Sequence, residues 1–255
     1  MGAPSTFAGK SAAEVAGELA SAGLGFERVD VLPGTTYQDN STVIIIPTRG
    51  MLHHRFVSAL QGLLPAMNQK RALFFAAGDE VGKAYDKLVK MILSHPELST
   101  WKYIMTIEDD NLVPPDAHVK LLESIEFGPK FDAVSGLYWT KGDINMPMAY
   151  GNPEDYNRTG VLEFKPRDVR EAVKKQQLVE VNGIAMGCGL WRTEMFRQLE
   201  PPWFVSCSEV IEGKGPTSFT QDLWFCKNAR AVGKRFAVDC RVRVGHMDLQ
   251  TGVVY

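Results

Sequence analysis

Three adjacent acids, Glu108-Asp109-Asp110, close the run Trp101-Lys-Tyr-Ile-Met-Thr-Ile107 and precede Asn111-Leu-Val-Pro-Pro115. Carboxylates this close repel one another, and a bound divalent cation is the usual way such a cluster is tolerated. Carboxylate oxygens are hard ligands suited to Mg²⁺ or Mn²⁺, ions commonly shared between one or two carboxylates and the phosphates of a nucleotide substrate. The chemistry implied is metal-assisted handling of a phosphate. The alternative is an acidic turn in water, with Asp110-Asn111 simply ending a strand.

The elements that would hold these acids alternate in type. Thr42-Val-Ile-Ile-Ile46 is a short, β-branched, apolar run, as expected of a strand buried on both faces of a mostly parallel sheet, and Pro47-Thr-Arg-Gly50 stops it. The pattern then predicts a helix over 53–64, a strand over 72–76, a helix over 83–94, the strand that the acids close, and a further strand over 132–138. Such βαβα units imply a doubly wound α/β sheet that binds ligands at the carboxyl ends of its strands. Pro47-Thr48-Arg49 and Glu108-Asp109-Asp110 both fall at such ends. Ahead of this pattern, 11–22 reads as an outer helix ended by Gly23 and Gly25, and a polar stretch runs on to Ser41. Residues 1–41 are therefore expected to be an N-terminal helical extension, and 42–255 a single domain.

Composition narrows the function. With 255 residues, 45% of them hydrophobic, the chain can bury one large α/β core. A formal net charge of −2 excludes a global field that draws the protein to nucleic acid or anionic membrane, so a polyanionic acceptor would need a local patch. Cys188, Cys207, Cys226 and Cys240 contain no CxxC pair and indicate neither a zinc site nor a disulfide framework. No run approaches the roughly 18 apolar residues of a membrane span, and the start lacks a charged-then-apolar leader. The expected location is the cytoplasm, a host cytoplasm for a viral protein, with no membrane partner.

Over roughly 42–248 the chain resembles the nucleotide-sugar glycosyltransferases of the GT-A fold, most closely the inverting type. In that family the first strand ends in a Pro-Thr or Pro-Ser step where nucleotide base and ribose settle, which implies Pro47, Thr48 and Arg49. Glu108-Asp109-Asp110 is similar to the DXD-type motif, so Asp110 would bind metal while Glu108 or Asp109 faces the ribose and donor sugar. Gly187-Cys-Gly189-Leu-Trp191-Arg192, leading into Glu194-Met-Phe196, looks like the glycine-rich acceptor-side segment. Thr220-Gln221-Asp222 opens a helix and is similar to the catalytic acidic motif, with Asp222 as the base. Gln221 departs from the commoner Glu-Asp form. His246, which follows the apolar run 236–240, stands where many relatives carry a second metal ligand.

The resemblance implies a nucleotide-binding half over 42–140, an acceptor-binding half over 141–255, a Mn²⁺ or Mg²⁺ cofactor, and a UDP-sugar as the commonest donor. It also implies one displacement. Asp222 takes the proton of an acceptor hydroxyl that attacks the anomeric carbon from the face opposite the departing diphosphate. Asp222 would equally suit a helix N-terminus through the dipole alone, and an isolated histidine is more often structural than a ligand.

Trp191 is a candidate sugar-stacking platform, against the commoner core role of tryptophan. Arg49, Lys83 and Arg192 are candidate phosphate or base contacts, against simple surface solvation. Five basic residues within 165–175 form either a solvated helix face or a phosphate-tracking patch. The patch would fit a DNA acceptor such as a hydroxymethylated base, the substrate type of viral genome-glycosylating enzymes; otherwise the acceptor is a glycan or protein. The stretches 142–160 and 212–220 are rich in Gly, Pro and polar residues and are expected to be loops closing over the ligands. Two other functions fit parts of the pattern: a nucleotidyltransferase releasing pyrophosphate, which lacks here a Gly-rich, Lys-containing phosphate loop, and a catalytically silent sugar-nucleotide-binding protein.

Overall fold

Ile44, Ile45 and Ile46 carry two heavy atoms on Cβ, which suits them to a pleated surface, and strand β1 (Thr42–Thr48) is buried along all but its last residue. The computed structural model describes residues 38–211 and 215–255, and Asn40–Tyr255 forms one compact unit. The helix expected over 11–22 lies outside the described residues. After β1 come α1 (His54–Gly62), β2 (Arg71–Ala77), α2 (Val81–Ser94), β3 (Tyr103–Ile107), β4 (Asn111–Leu112), α3 (Ala117–Phe127) and β5 (Ala133–Leu137). The second half contributes β6 (Ala149–Tyr150), α4 (Pro153–Thr159), α5 (Arg170–Lys174), β7 (Leu178–Val181), β8 (Gly183–Ile184), β9 (Cys188–Arg192) and α6 (Thr193–Arg197). The hairpin β10 (Cys207–Ile211) and β11 (Gly215–Phe219), helix α7 (Gln221–Ala231), β12 (Phe236–Arg243) and β13 (Gly245–His246) complete it.

Seven strands form the central sheet in the order β2-β1-β3-β9-β5-β12-β7. The pairs β1–β2, β1–β3 and β5–β12 are parallel, while β9 runs antiparallel between β3 and β5, and β7 antiparallel along β12. The carboxyl ends of β1, β3, β5 and β12 therefore share one edge of the sheet, together with the start of β9. One apolar layer gathers Tyr85, Leu88 and Ile92 of α2 with Trp191, Phe196 and Phe225; the other gathers Phe56, Leu121, Leu122 and Ile125 beneath α1 and α3.

Three expectations change here. The glycine-rich segment expected on the acceptor side runs through the core as the central strand β9, because Gly189 has no Cβ to collide with the Trp191 indole folded over it, a contact that would fall at 2.8 Å. The expected loop over 212–220 includes β11, which pairs with β10 in a hairpin. The expected loop over 142–160 carries β6 and α4, the latter capped by Asn152 and ended by Gly160 at φ 69°. All four cysteines are free thiols, and Cys188, Cys226 and Cys240 are buried.

Candidate active site

Strand β3 is buried at all five positions, so Glu108, Asp109 and Asp110 are the first residues free to turn out of the sheet. The Asn111 amide donates to the Glu108 carbonyl at 3.0 Å, which tightens the turn. The two-residue ladder of β4 with β13 then pairs Asn111 with His246, and the Met247 amide donates to the Asp110 carbonyl at 2.8 Å. The C-terminal segment folds back to lock the other side of the histidine: the backbones of His246 and Tyr255 exchange two hydrogen bonds of 3.0 Å. Gly187 packs directly over the turn. A Cβ there would fall 2.6 Å from the side-chain carboxamide of Asn111 and from the Tyr138 hydroxyl, so only glycine lets β9 begin at this place.

The His246 ring has a defined direction. Its Nδ1 lies 2.6 Å from the Trp139 carbonyl, an acceptor only, so Nδ1 carries the proton and donates. Nε2 then lies on the side of Asp110, 3.7 Å from its Oδ2. An imidazole fixed by a backbone carbonyl on one nitrogen and open on the other is the usual form of a metal-ligating histidine. Asp110 Oδ1 is buried without a partner, while Lys141 Nζ forms an ion pair with Oδ2. Burial raises the Asp110 pKa, but His246 and Lys141 outweigh it and hold the carboxyl below its ordinary value. Among the described residues no group of three or more His, Cys, Asp or Glu side chains is arranged to hold a metal. The donor set fits a divalent cation only as a two-ligand site completed by substrate phosphates, the habit of Mg²⁺.

Asp222 joins the cluster from a separate element, close enough for its charge to act on Glu108. It lies in the first turn of α7 after the N-cap Thr220, is 6% exposed, and accepts from the Thr220 hydroxyl and, at 2.9 Å, from the Leu223 amide. Burial raises its pKa, the two donors offsetting part of the effect. The carboxyl of half-buried Glu108 is enclosed. Burial first, then the charges of Asp110 and Asp222, push its pKa up to about 8, with Lys141 offsetting part of the rise. The start of α2 meets the start of α7 because Gly82 has no side chain; a Cβ there would stand 3.4 Å from Gln221 and 2.8 Å from the Phe204 carbonyl. Tyr85, one turn along α2, is fully buried with an unpartnered hydroxyl, and its pKa is raised by burial and then by Glu108, Tyr138 and the acids.

The structure thus gathers Glu108, Asp110, Gly187, Asp222 and His246, with Asp109 beside them. The β1–β3 register brings Pro47 and Thr48 to the same edge, where Pro47 is buried and Arg49 exposed. Lys83 is exposed, next to Gly82. Trp191 is no platform: it is fully buried, donates to Thr106 at 3.0 Å, and meets the edge of Phe225 at 5.5 Å between ring centres. Arg192 is no phosphate contact. It lies at the far end of β9, bound to the Phe131 and Ile125 carbonyls at 3.0 and 2.7 Å and to Glu126 at 3.2 Å.

Four of the five cations in 165–175 have local partners: Lys165 with Glu163, Arg170 with Asp168, Lys174 with Glu171, and Arg167 with Asn152 and the Glu180 carbonyl. A cavity of about 520 Å³ in this half is lined by Asn152, Tyr156, Arg158, Arg167 and Asn182, among others, but by none of the clustered acids. Sequence reasoning missed Lys141, Tyr85 and Tyr138. The signal for Lys141 was available: a basic residue just beyond the carboxyl end of a predicted strand.

A mostly parallel seven-stranded sheet between helices, with this turn at its carboxyl edge, is a GT-A-like fold. Solved structures that share it include the following two. A197 from STIV superposes with a TM-score of 0.54 over 82% of this chain and 86% of its own, at 15% identity. GalNAc-T7 with UDP, GalNAc and Mn²⁺ superposes with a TM-score of 0.52 over 83% of this chain, at 10% identity, and the chain spans 44% of that protein's length. At these identities the likeness establishes the fold alone. Neither a family profile nor any curated protein sequence matches the chain. Among the described residues no helix is long and apolar enough to cross a membrane.

Proposed function

We propose that the protein is a metal-dependent inverting glycosyltransferase that moves a sugar from a nucleoside diphosphate, UDP by preference, to an acceptor hydroxyl. The observation that carries this reading is the pairing of Asp110 with a His246 whose Nε2 is turned to it by the Trp139 carbonyl, in one cluster with a buried Asp222 at a helix start whose charge acts on Glu108. Asp110 and His246 would hold Mn²⁺ or Mg²⁺ with the donor diphosphate, and a cation so held supplies Lewis-acid stabilisation of the departing phosphate. Pro47, Thr48 and Arg49 would meet base and ribose, and Glu108 or Asp109 would face the ribose and donor sugar. Gly187 keeps the floor of the turn closed, while Gly189 and Trp191 support it from the core.

Asp222 is the base. Its burial raises its proton affinity toward that required to accept a hydroxyl proton at neutral pH. The acceptor oxygen attacks the anomeric carbon as its proton passes to Asp222, the bond to the diphosphate breaks on the opposite face, and configuration inverts. The acceptor is a hydroxyl of a glycan, a protein or a modified DNA base; the local pairing of the cations in 165–175 weighs against that segment as a DNA contact. Asp222→Asn is expected to lower sugar transfer about 10²- to 10⁴-fold while leaving donor binding within a fewfold of wild type. Undiminished transfer by that variant would remove Asp222 as base, and release of pyrophosphate instead of nucleoside diphosphate would select a nucleotidyltransferase.

A further inference from the structure

Lys141 stands on a loop with a fixed neck and an open tip. The neck is closed by the Met148 amide on the Tyr138 carbonyl and the Thr140 amide on the Met146 carbonyl, each at 2.8 Å, and by the bridge between Trp139 and Pro147. Residues 142–146 at the tip are exposed, Ile144 to 72%. Lys141 turns the other way, inward to Asp110, where its ammonium and the His246 Nε2 converge on the same oxygen, Oδ2. The neck carries the Trp139 carbonyl that orients His246, so the loop and the two prospective metal ligands form one assembly.

A divalent cation at that oxygen would meet the like charge of the ammonium, and the two cannot share it without a penalty. A displaced lysine on a flexible stem, beside a site that receives a diphosphate, is well suited to an anionic oxygen as a mobile point charge. We propose that Lys141 is a displaceable internal counter-ion: it occupies Asp110 in the free protein and transfers to the donor diphosphate when a divalent cation takes the carboxylate. The inference rests on the glycosyltransferase reading and adds a phosphate-binding residue to it.

The test titrates Mn²⁺ alone into wild type, Lys141→Met, Lys141→Arg and Asp110→Ala, following the free-ion signal by electron paramagnetic resonance, and then titrates UDP at saturating Mn²⁺ by calorimetry. Lys141→Met is expected to bind Mn²⁺ alone roughly fivefold or more tighter than wild type, and UDP roughly fivefold or more weaker. Lys141→Arg, which retains the charge, should stay near wild type in both. Unchanged or weaker Mn²⁺ binding by Lys141→Met, or unchanged UDP binding, would overturn the counter-ion role. If Asp110→Ala loses Mn²⁺ while Lys141→Met behaves as wild type, the glycosyltransferase reading stands and this inference alone falls. If wild type binds neither Mn²⁺ nor UDP, both fall together.

Discussion

At the Tyr103–Arg192 end of the β3–β9 pair, Glu126 accepts from Lys102 at 2.8 Å, from Arg192 at 3.2 Å and from the Tyr103 hydroxyl. At the Ile107–Cys188 end, four residues along the same ladder, Asp110 Oδ1, both side-chain amide atoms of Asn111 and the Tyr85 hydroxyl are buried with no partner. Burial raises the pKa of both Glu126 and Glu108, but the three donors at the first end outweigh it and leave Glu126 below its ordinary value, whereas neighbouring acids push Glu108 further up, to about 8. One sheet thus surrounds an acid with three donors at one end and crowds acids together at the other, where a carboxylate oxygen is left without a partner; the unpartnered buried atoms near the first end belong to uncharged side chains such as Trp101 and Thr193. A buried polar group without a partner costs about 1–3 kcal/mol, and such groups concentrate where a ligand completes them. The contrast marks the acid turn as a site built for something bound, and the Glu126 end as scaffold.

The comparison breaks most visibly at Glu126. Glu126→Ala leaves Lys102 and the buried Tyr103 hydroxyl without this acceptor and Arg192 with only its two carbonyl partners, and is expected to cost about 2–3 kcal/mol in urea unfolding after discounting for the partial exposure of both cations. A loss under about 1 kcal/mol would deny that end its structural role.

A pH effect of similar size belongs to the same end. His118 is buried against the Thr42 hydroxyl at 3.1 Å, and burial first, then Arg71, lowers its pKa from 6.5 to about 4. Between those values the unfolded chain binds the proton and the folded one does not, so stability falls as pH drops through that window, by about 3 kcal/mol once pH 4 is reached. His118→Gln should flatten that part of the pH–stability profile; an unchanged slope would assign the acid sensitivity to other groups.

The smallest effect carries the opposite sign. Glu108→Gln relieves the crowding of acids and is expected to be neutral or to stabilise the free protein by about 1 kcal/mol, while weakening donor binding. A destabilisation above about 2 kcal/mol would make Glu108 a structural residue like Glu126.

These two ends were not equally legible in the sequence. The parallel core was, because β-branched runs such as 42–46 and turn signals such as Pro47 act within a few residues, and β1, β2, β3, β5 and β12 all begin or end within a few residues of the expected places. The acid turn, the helix-start acid and the histidine were also legible, as residue types following strand or helix boundaries. Strand β9 was not, because Gly187 and Gly189 give no strand signal when the Trp191 indole that fills the space above Gly189 is unknown. Trp191 and Arg192 were misassigned for the same reason: alternation along a strand sends neighbours to opposite faces, and their fate depends on Phe225 and Glu126, distant in the chain. The return of Tyr255 onto His246 is a long-range contact that local pattern does not encode, and so is the choice of Asp110 as the partner of Lys141, although the place of Lys141 beyond a strand end was readable.

The central claim is that the unsatisfied end binds a divalent cation together with a nucleoside diphosphate. Calorimetric titration of UDP in Mn²⁺ and in EDTA, on wild type and Asp110→Ala, tests it most directly. The account predicts binding to wild type in Mn²⁺ only, and its loss in Asp110→Ala with the fold retained. UDP binding that is equal in EDTA or unaffected by Asp110→Ala would contradict the metal site, and no binding of UDP or of another nucleoside diphosphate would return Glu108-Asp109-Asp110 to an acidic turn.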